Sequence, residues 1–320
     1  MKLLLLVLLF GHLISMQLAG AGPLVSAWLE YRGHAKGLPT TVEEARRLAW
    51  HSIYGLIGGM GLGLLLVWAA TQFGSRDYLP VVSKFYSRVW WGGWELVTSL
   101  VVMLIYVLCW SKLCSSRGGR IFLRFLALFS ATNLLYHFPP LMTVMVESME
   151  SAAESGTPVD PAFIVELTSS EFRQLIFRTE VFAKSLHFGL AGFAASGAYL
   201  MWSGKTVGDD AGETETNARS FSHAVRWGSW ITVVAIAIQL LVGMWLVVLS
   251  PPSIQSQLMG KNPWVAGALI GGILLSLAAM NQAAGVGMGD TESAKPRLAA
   301  LTVVAVIGLM VMVTGLTGSW

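Results

Sequence analysis

The run WITVVAIAIQLLVGMWLVVL (230–249) is apolar on every face of any regular structure it could form. A surface helix of a soluble protein carries one apolar stripe, whereas a membrane span needs roughly 20 residues that are apolar all round. Comparable runs recur along the chain. A membrane β-barrel would instead show segments of roughly 10 residues with strict alternation. The composition agrees, with 54% hydrophobic and only 12% charged residues, against about 25% charged in soluble domains. The sequence therefore predicts an all-α integral membrane protein of about eight transmembrane helices in a lipid bilayer. These lie near 3–28, 48–70, 89–110, 122–145, 181–202, 227–249, 264–284 and 298–317. As a domain reading, 1–145 and 181–320 form two four-helix bundles joined by a connection at 146–180.

Charge sets the expected orientation. Connections after the odd-numbered spans hold thirteen of the lysines and arginines and the opposite side eight, which by the positive-inside rule puts both termini outside a cytoplasmic (inner) membrane. The opening MKLLLLVLLFGHLISMQLAGAG has the layout of a signal peptide, but its apolar run continues through PLVSAW and is read as a span. The 146–180 connection is then external, with seven acidic residues against Arg173 and Arg178. It is expected to carry a short surface helix near 161–176 and to attract a basic partner at the outer face. The formal charge of +3 is too small and scattered for nucleic acid. Cys109 and Cys114 form neither CxxC nor CxxCH, which excludes covalent haem and cysteine-ligated clusters.

Ionisable groups within spans are costly, and functional by default. His12, Glu95, His137 and His187 fall on four different spans, roughly 9–14 Å below the outer surface at 1.5 Å per residue. The expectation is that they converge around a pocket. A lone histidine in a span also commonly bonds a neighbouring helix, and Glu95, beside Trp90, Trp91 and Trp94, has the position of a snorkelling interfacial acid. Asn133 lies one turn from His137 on the same face, and Phe138-Pro139-Pro140 is expected to break that helix. Gly55, Gly59 and Gly63 share a face that favours close helix packing and would also admit a flat macrocycle. Ala191, Ala194 and Ala195 surround the His187 side of span five, which suits a haem plane resting on a helix. His34, His51 and His223 lie at or beyond span ends and are given no chemistry.

Three stretches together resemble subunit I of the cytochrome bd-type quinol oxidases. They are GHLISMQLAGAGPLVSAWLE (11–30), GLIGGMGLGLLLVWAATQFG (55–74) followed twenty-one residues on by Glu95, and KSLHFGLAGFAASGAYLMWSGK (184–205) followed by LLVG (240–243). The resemblance covers roughly residues 5–250 and implies a subunit binding one or two non-covalent b-type haems. It implies His187 as ligand of a low-spin haem, His12 as ligand at a high-spin haem and Glu95 near those haems. It also implies electron transfer between a quinol or redox partner and other membrane subunits, with a c-type cytochrome as a possible outer-face donor. His137 is a third candidate iron ligand, and Lys184 is placed to reach a propionate. The family's second low-spin ligand falls at Leu269, so Met244 is the substitute candidate. The second glutamate of span three is replaced by Ser99 or Met103, and the long quinol-binding connection shrinks to 250–263. The alternatives are a haem-free structural subunit glued by this polar layer, or a transporter.

Overall fold

A computed structural model describes residues 2–73, 82–155, 166–204, 206–207, 220–290 and 293–317. Asp160, Gly74 and Lys205 lie outside the described residues, as does the first part of the helix predicted at 161–176. The fold is an all-α bundle. Its long helices are α1 (Lys2–Ala35), α2 (Pro39–Phe73), α3 (Tyr86–Leu108) and α5 (Arg117–Ser155), with the short α4 (Trp110–Leu113) between the last two. The eight-residue α6 (Ser169–Ile176) leads into α7 (Thr179–Ser203). A two-residue ladder, Thr206–Val207 with Ser220–Phe221, precedes α8 (His223–Leu249), α9 (Pro252–Ser256), α10 (Pro263–Met288) and α11 (Pro296–Thr317).

Seven helices are long and apolar enough to cross a membrane: α1, α2, α3, α5, α8, α10 and α11. The eighth, α7, has the length but is diluted by Ser185, His187, Gly189, Gly192, Ser196 and Gly197. It packs against α1, α5, α8 and α11 and buries eleven residues. A helix sheltered by protein need not be apolar all round, which is why hydropathy alone under-reads it.

Several helices outrun the predicted spans. At 1.5 Å per residue, the 34 residues of α1 reach about 51 Å, against a hydrocarbon core of about 30 Å. The excess is polar. α2 gains a first stretch containing Glu43, Glu44, Arg46 and Arg47, and α5 runs on past Glu147 to Ser155. The expected break at Phe138-Pro139-Pro140 does not occur, because both prolines lie inside α5. Proline costs a membrane helix less than a soluble one, since neighbouring helices can re-satisfy the freed carbonyls.

α1 and α2 form an antiparallel hairpin through a turn whose Gly37 takes φ +65°, a left-handed value suited to glycine. The shared glycine face of α2 lies against α1. A Cβ on Gly55 would stand 2.9 Å from the Ser15 carbonyl oxygen, one on Gly59 2.7 Å from Met16 Sδ and one on Gly63 2.9 Å from the His12 ring. Helix packing, and not a macrocycle, fills that face. Ser26 ties three helices together at the turn end, donating to the Ala45 carbonyl at 2.7 Å and lying 3.1 Å from the Tyr106 hydroxyl.

One core joins α1, α2, α3 and α5 through Leu29, Leu48, Ile53, Leu56, Met103 and Leu123. A second joins α7, α8, α10 and α11 through Ala198, Ile236, Ala283 and Val303. The halves interlock, since Leu9 of α1 enters the second core and Leu200 of α7 the first. One tight helix contact is between α7 and α8, where a Cβ on Gly197 would fall on the Gly228 carbonyl oxygen and Thr232 Oγ1. Gly197→Ala is therefore expected to cost about 1–3 kcal/mol or more through overpacking. Gly58→Ala, where a Cβ meets nothing within 4 Å, should be close to neutral; thermal unfolding in detergent compares the two.

The surface helix α6 begins at a capping box. Thr168 accepts from the Glu171 amide, and the Glu171 carboxylate accepts from the Thr168 amide at 2.8 Å. Glu166 accepts from the Ser87 amide at 2.8 Å, docking the segment on the start of α3. Hydrogen bonds from Thr168 hold Glu171, and those from Ser87 hold Glu166, below the usual carboxylate range. A depressed folded pKa gives stability that is complete at neutral pH and lost as pH falls through the folded value. Hydrogen exchange, corrected for its intrinsic pH dependence, should show residues 166–176 loosening below about pH 4 before α7 does. Equal protection of both down to about pH 3 would contradict this role for the carboxylates.

Candidate functional site

The helix register decides which of the expected polar groups meet. Along α1, Glu30 pairs with Arg124 and Gly20 lies against Leu135, so α5 runs antiparallel to α1 with His137 level with about Leu18. Gly192 lies on Gln17, and α7 runs in the same direction as α1, which puts His187 level with His12. His12 and His187 thus share one level. His137 sits about six residues further toward the α1–α2 turn, or about 9 Å. The single layer expected from span positions resolves into two.

His12 is partly buried between α1 and α2. Its Nδ1 stands 2.8 Å from the Gly59 carbonyl oxygen, so Nδ1–H is the donor, and Gly63 gives the ring room. Nε2 has no hydrogen-bond partner among the described residues. His187 lies between α7 and α8. The Gln239 amide nitrogen is 3.3 Å from its Nε2, which makes the ring nitrogen the acceptor. Its Nδ1 is shut off from solvent without a partner. Gly243, one turn beyond Gln239, leaves space for the ring, its Cβ position being 3.6 Å from His187 Cε1. Among the described residues Gln17 also has a buried Oε1 with no partner.

Glu95 and His137 form their own pair, Oε1 to Nδ1 at 3.2 Å. Asn133 donates to the Glu95 carbonyl oxygen at 2.9 Å and to Ser99 Oγ at 2.8 Å, so the Asn133 and His137 face of α5 is the face that meets α3. The pair is half-exposed, and Trp90, Trp91 and Trp94 point outward around it.

Two expectations are corrected. Met244 is 66% exposed, and Gln239 and Gly243 are the residues of α8 that face His187. The i, i+4 spacing keeps those two on one face while Met244 turns about 100° away. Lys184 is exposed and donates to Glu147 Oε1 at 2.8 Å, beside Arg178, which binds the same carboxylate. Its ammonium is thus committed to α5 at the bundle end, and the Ala191, Ala194 and Ala195 face is buried in helix contacts.

An axial haem ligand is a neutral imidazole whose Nδ1–H is held by a carbonyl or carboxylate and whose Nε2 faces the iron. His12 has this arrangement. His187 offers a partly buried imidazole with an unsatisfied nitrogen, and its Nε2 becomes available when the Gln239 amide turns aside. Among the described residues His12 fits the group as it stands, His187 does so only once Gln239 releases its Nε2, and Met244 does not.

Span position did not reveal the polar network at the turn end. Glu30 is 1% exposed and accepts from Arg124 Nε at 2.7 Å and Nη2 at 3.2 Å. His34 Nδ1 lies 3.2 Å from Glu30 Oε1, and its Nε2 is 3.6 Å from Cys114 Sγ. The visible signal was the i, i+4 spacing of Glu30 and His34, and Arg124 at the start of α5 supplied no local one.

The chain matches no protein-family model, and no curated protein shows significant similarity to it.

Proposed function

We propose that this multi-pass membrane protein is a b-type haem-carrying electron-transfer subunit of a respiratory complex, similar in kind to subunit I of the cytochrome bd-type quinol oxidases. The observation that carries this reading is the placement of His12 and His187 at one level of the bundle, with Nε2 of His12 unpartnered among the described residues and Nε2 of His187 held only by the Gln239 amide. One or two haems would supply one-electron chemistry when bound. His12 would present Nε2 with its ring fixed by the Gly59 carbonyl. His187 would hold its ring in the space left by Gly243 and offer Nε2 once the Gln239 amide turns aside. Glu95 and His137 pair at 3.2 Å at the other level, between α3 and α5.

Quinol as donor or acceptor, other membrane subunits as partners, a c-type cytochrome at the outer face and a cytoplasmic (inner) membrane location belong to the same proposal. For the basic partner, the acids left in 146–180 matter, since Glu147, Glu166 and Glu171 already serve internal contacts. A second reading, a haem-free structural subunit, is favoured by the closure of the Gly55, Gly59 and Gly63 face on α1. A pyridine haemochrome assay separates the two. The haem reading expects one or two haems b per purified chain, and fewer in His12→Ala; the structural reading expects none.

A further inference from the structure

We infer that Glu30, His34 and Cys114 form a binding site for a divalent ion of the zinc class at the end of the bundle that carries the α1–α2 turn. The ligand atoms of the three residues lie within 4.8 Å of one another. The donor set of thiolate, imidazole and carboxylate is one that zinc accepts in tetrahedral sites. His34 is oriented as a ligand. Its Nδ1 lies 3.0 Å from the Glu30 carbonyl oxygen, so Nδ1–H is the donor and the Nε2 lone pair is turned toward Cys114. A second-shell acceptor on one ring nitrogen is the usual partner of metal ligation at the other. The Nε2 to Sγ separation of 3.6 Å matches the edge of a tetrahedral site, about 3.5 Å when zinc–nitrogen and zinc–sulfur bonds are about 2.05 and 2.3 Å.

The surroundings leave a ligand oxygen free to serve. Arg124 Nε holds Glu30 Oε2 at 2.7 Å, so Oε1 is the less tightly held atom. Arg120 Nη1 donates to the Cys114 carbonyl at 3.1 Å and fixes the α4–α5 link. His34 is 30% exposed, which gives an ion a way in and leaves a fourth position for water. The ion would clamp α1 to that link, joining elements eighty residues apart.

Burial, and next the Glu30 carboxylate, push the Cys114 thiol up, against the opposing pull of Arg120 and Arg124 from α5 and Arg46 from α2. Binding the ion as a thiolate displaces the thiol proton. This site does not depend on the haem reading.

Cobalt(II) titration of the full chain in detergent tests it. The expected result is a thiolate-to-cobalt charge-transfer band that saturates at one ion per chain, is displaced by zinc, disappears in Cys114→Ser and weakens at least tenfold in affinity in His34→Ala. Cys109→Ser should retain it. Zinc should also slow alkylation of Cys114 in the unmutated protein at least tenfold while leaving Cys109 unaffected, which covers the case of a variant that does not fold. A chain that shows no band and no protection has only an S–H to nitrogen hydrogen bond at this place. That outcome, or a band surviving in Cys114→Ser, overturns the proposal.

Discussion

On the proposed haem reading, His187→Ala is expected to remove one b-type haem per chain and with it the low-spin component of the reduced spectrum, while the helices remain inserted. The substitution takes away the imidazole that meets Gln239 at the α7–α8 contact and makes α7 more apolar, and insertion follows hydropathy. The cost to packing is confined to the ring's own space beside Gly243 and to the unpaired amide of Gln239. His51→Ala is the matched control. His51 is exposed near the turn end, where its Nδ1 lies 2.8 Å from both the Arg47 carbonyl oxygen and the Tyr199 hydroxyl, and its loss should leave the haem spectrum intact. Unchanged haem content in well-expressed His187→Ala would move the ligand role to His12. Equal losses in both variants would point to general destabilisation.

The second large effect is expected at Arg124. Its fork holds the Glu30 carboxylate at 2.7 and 3.2 Å, and Glu30 is almost fully buried. Arg124→Ala leaves that carboxylate with the His34 ring as its remaining close partner. Removing one member of a buried ion pair typically costs about 3–5 kcal/mol, because the other charge stays desolvated. Arg124 also lays its guanidinium over Tyr31 at 5.0 Å, which adds lost packing. Arg47→Ala breaks the exposed Arg47–Glu43 pair at 3.4 Å and should cost no more than about 1 kcal/mol. Thermal unfolding in detergent reads both. Equal shifts would mean that Glu30 is not a buried charge that depends on Arg124.

Much of this architecture is legible in the sequence because lipid imposes a simple rule on length and hydropathy. Spans such as 230–249 obey it directly, and α8 extends from His223 to Leu249 around that run. Helix ends escape it, since α2 begins before the predicted span and runs through Glu43, Glu44, Ala45 and Arg46, all of which tolerate helix. Pro139 and Pro140 misled for a related reason: a helix in a bundle keeps its course where an isolated one would break.

Within the candidate site, local spacing worked wherever one helix sufficed. Asn133 and His137, one turn apart, do meet α3 together, and Gly55, Gly59 and Gly63 do line one contact. Pairings between helices needed the register. Met244 matched His187 in depth but not in azimuth, and Gln239 was the residue on the right face. The Glu30–Arg124 pair spans ninety-four positions, and only the antiparallel alignment of α1 with α5 brings it together.

A reduced-minus-oxidised optical spectrum of the purified, unmutated chain tests the haem assignment most directly. The haem reading predicts a sharp b-type band, with intensity equivalent to one or two haems per chain. A featureless spectrum from well-folded protein expressed with ample haem would contradict it and leave the polar groups of α1, α3, α5 and α7 as helix-to-helix contacts.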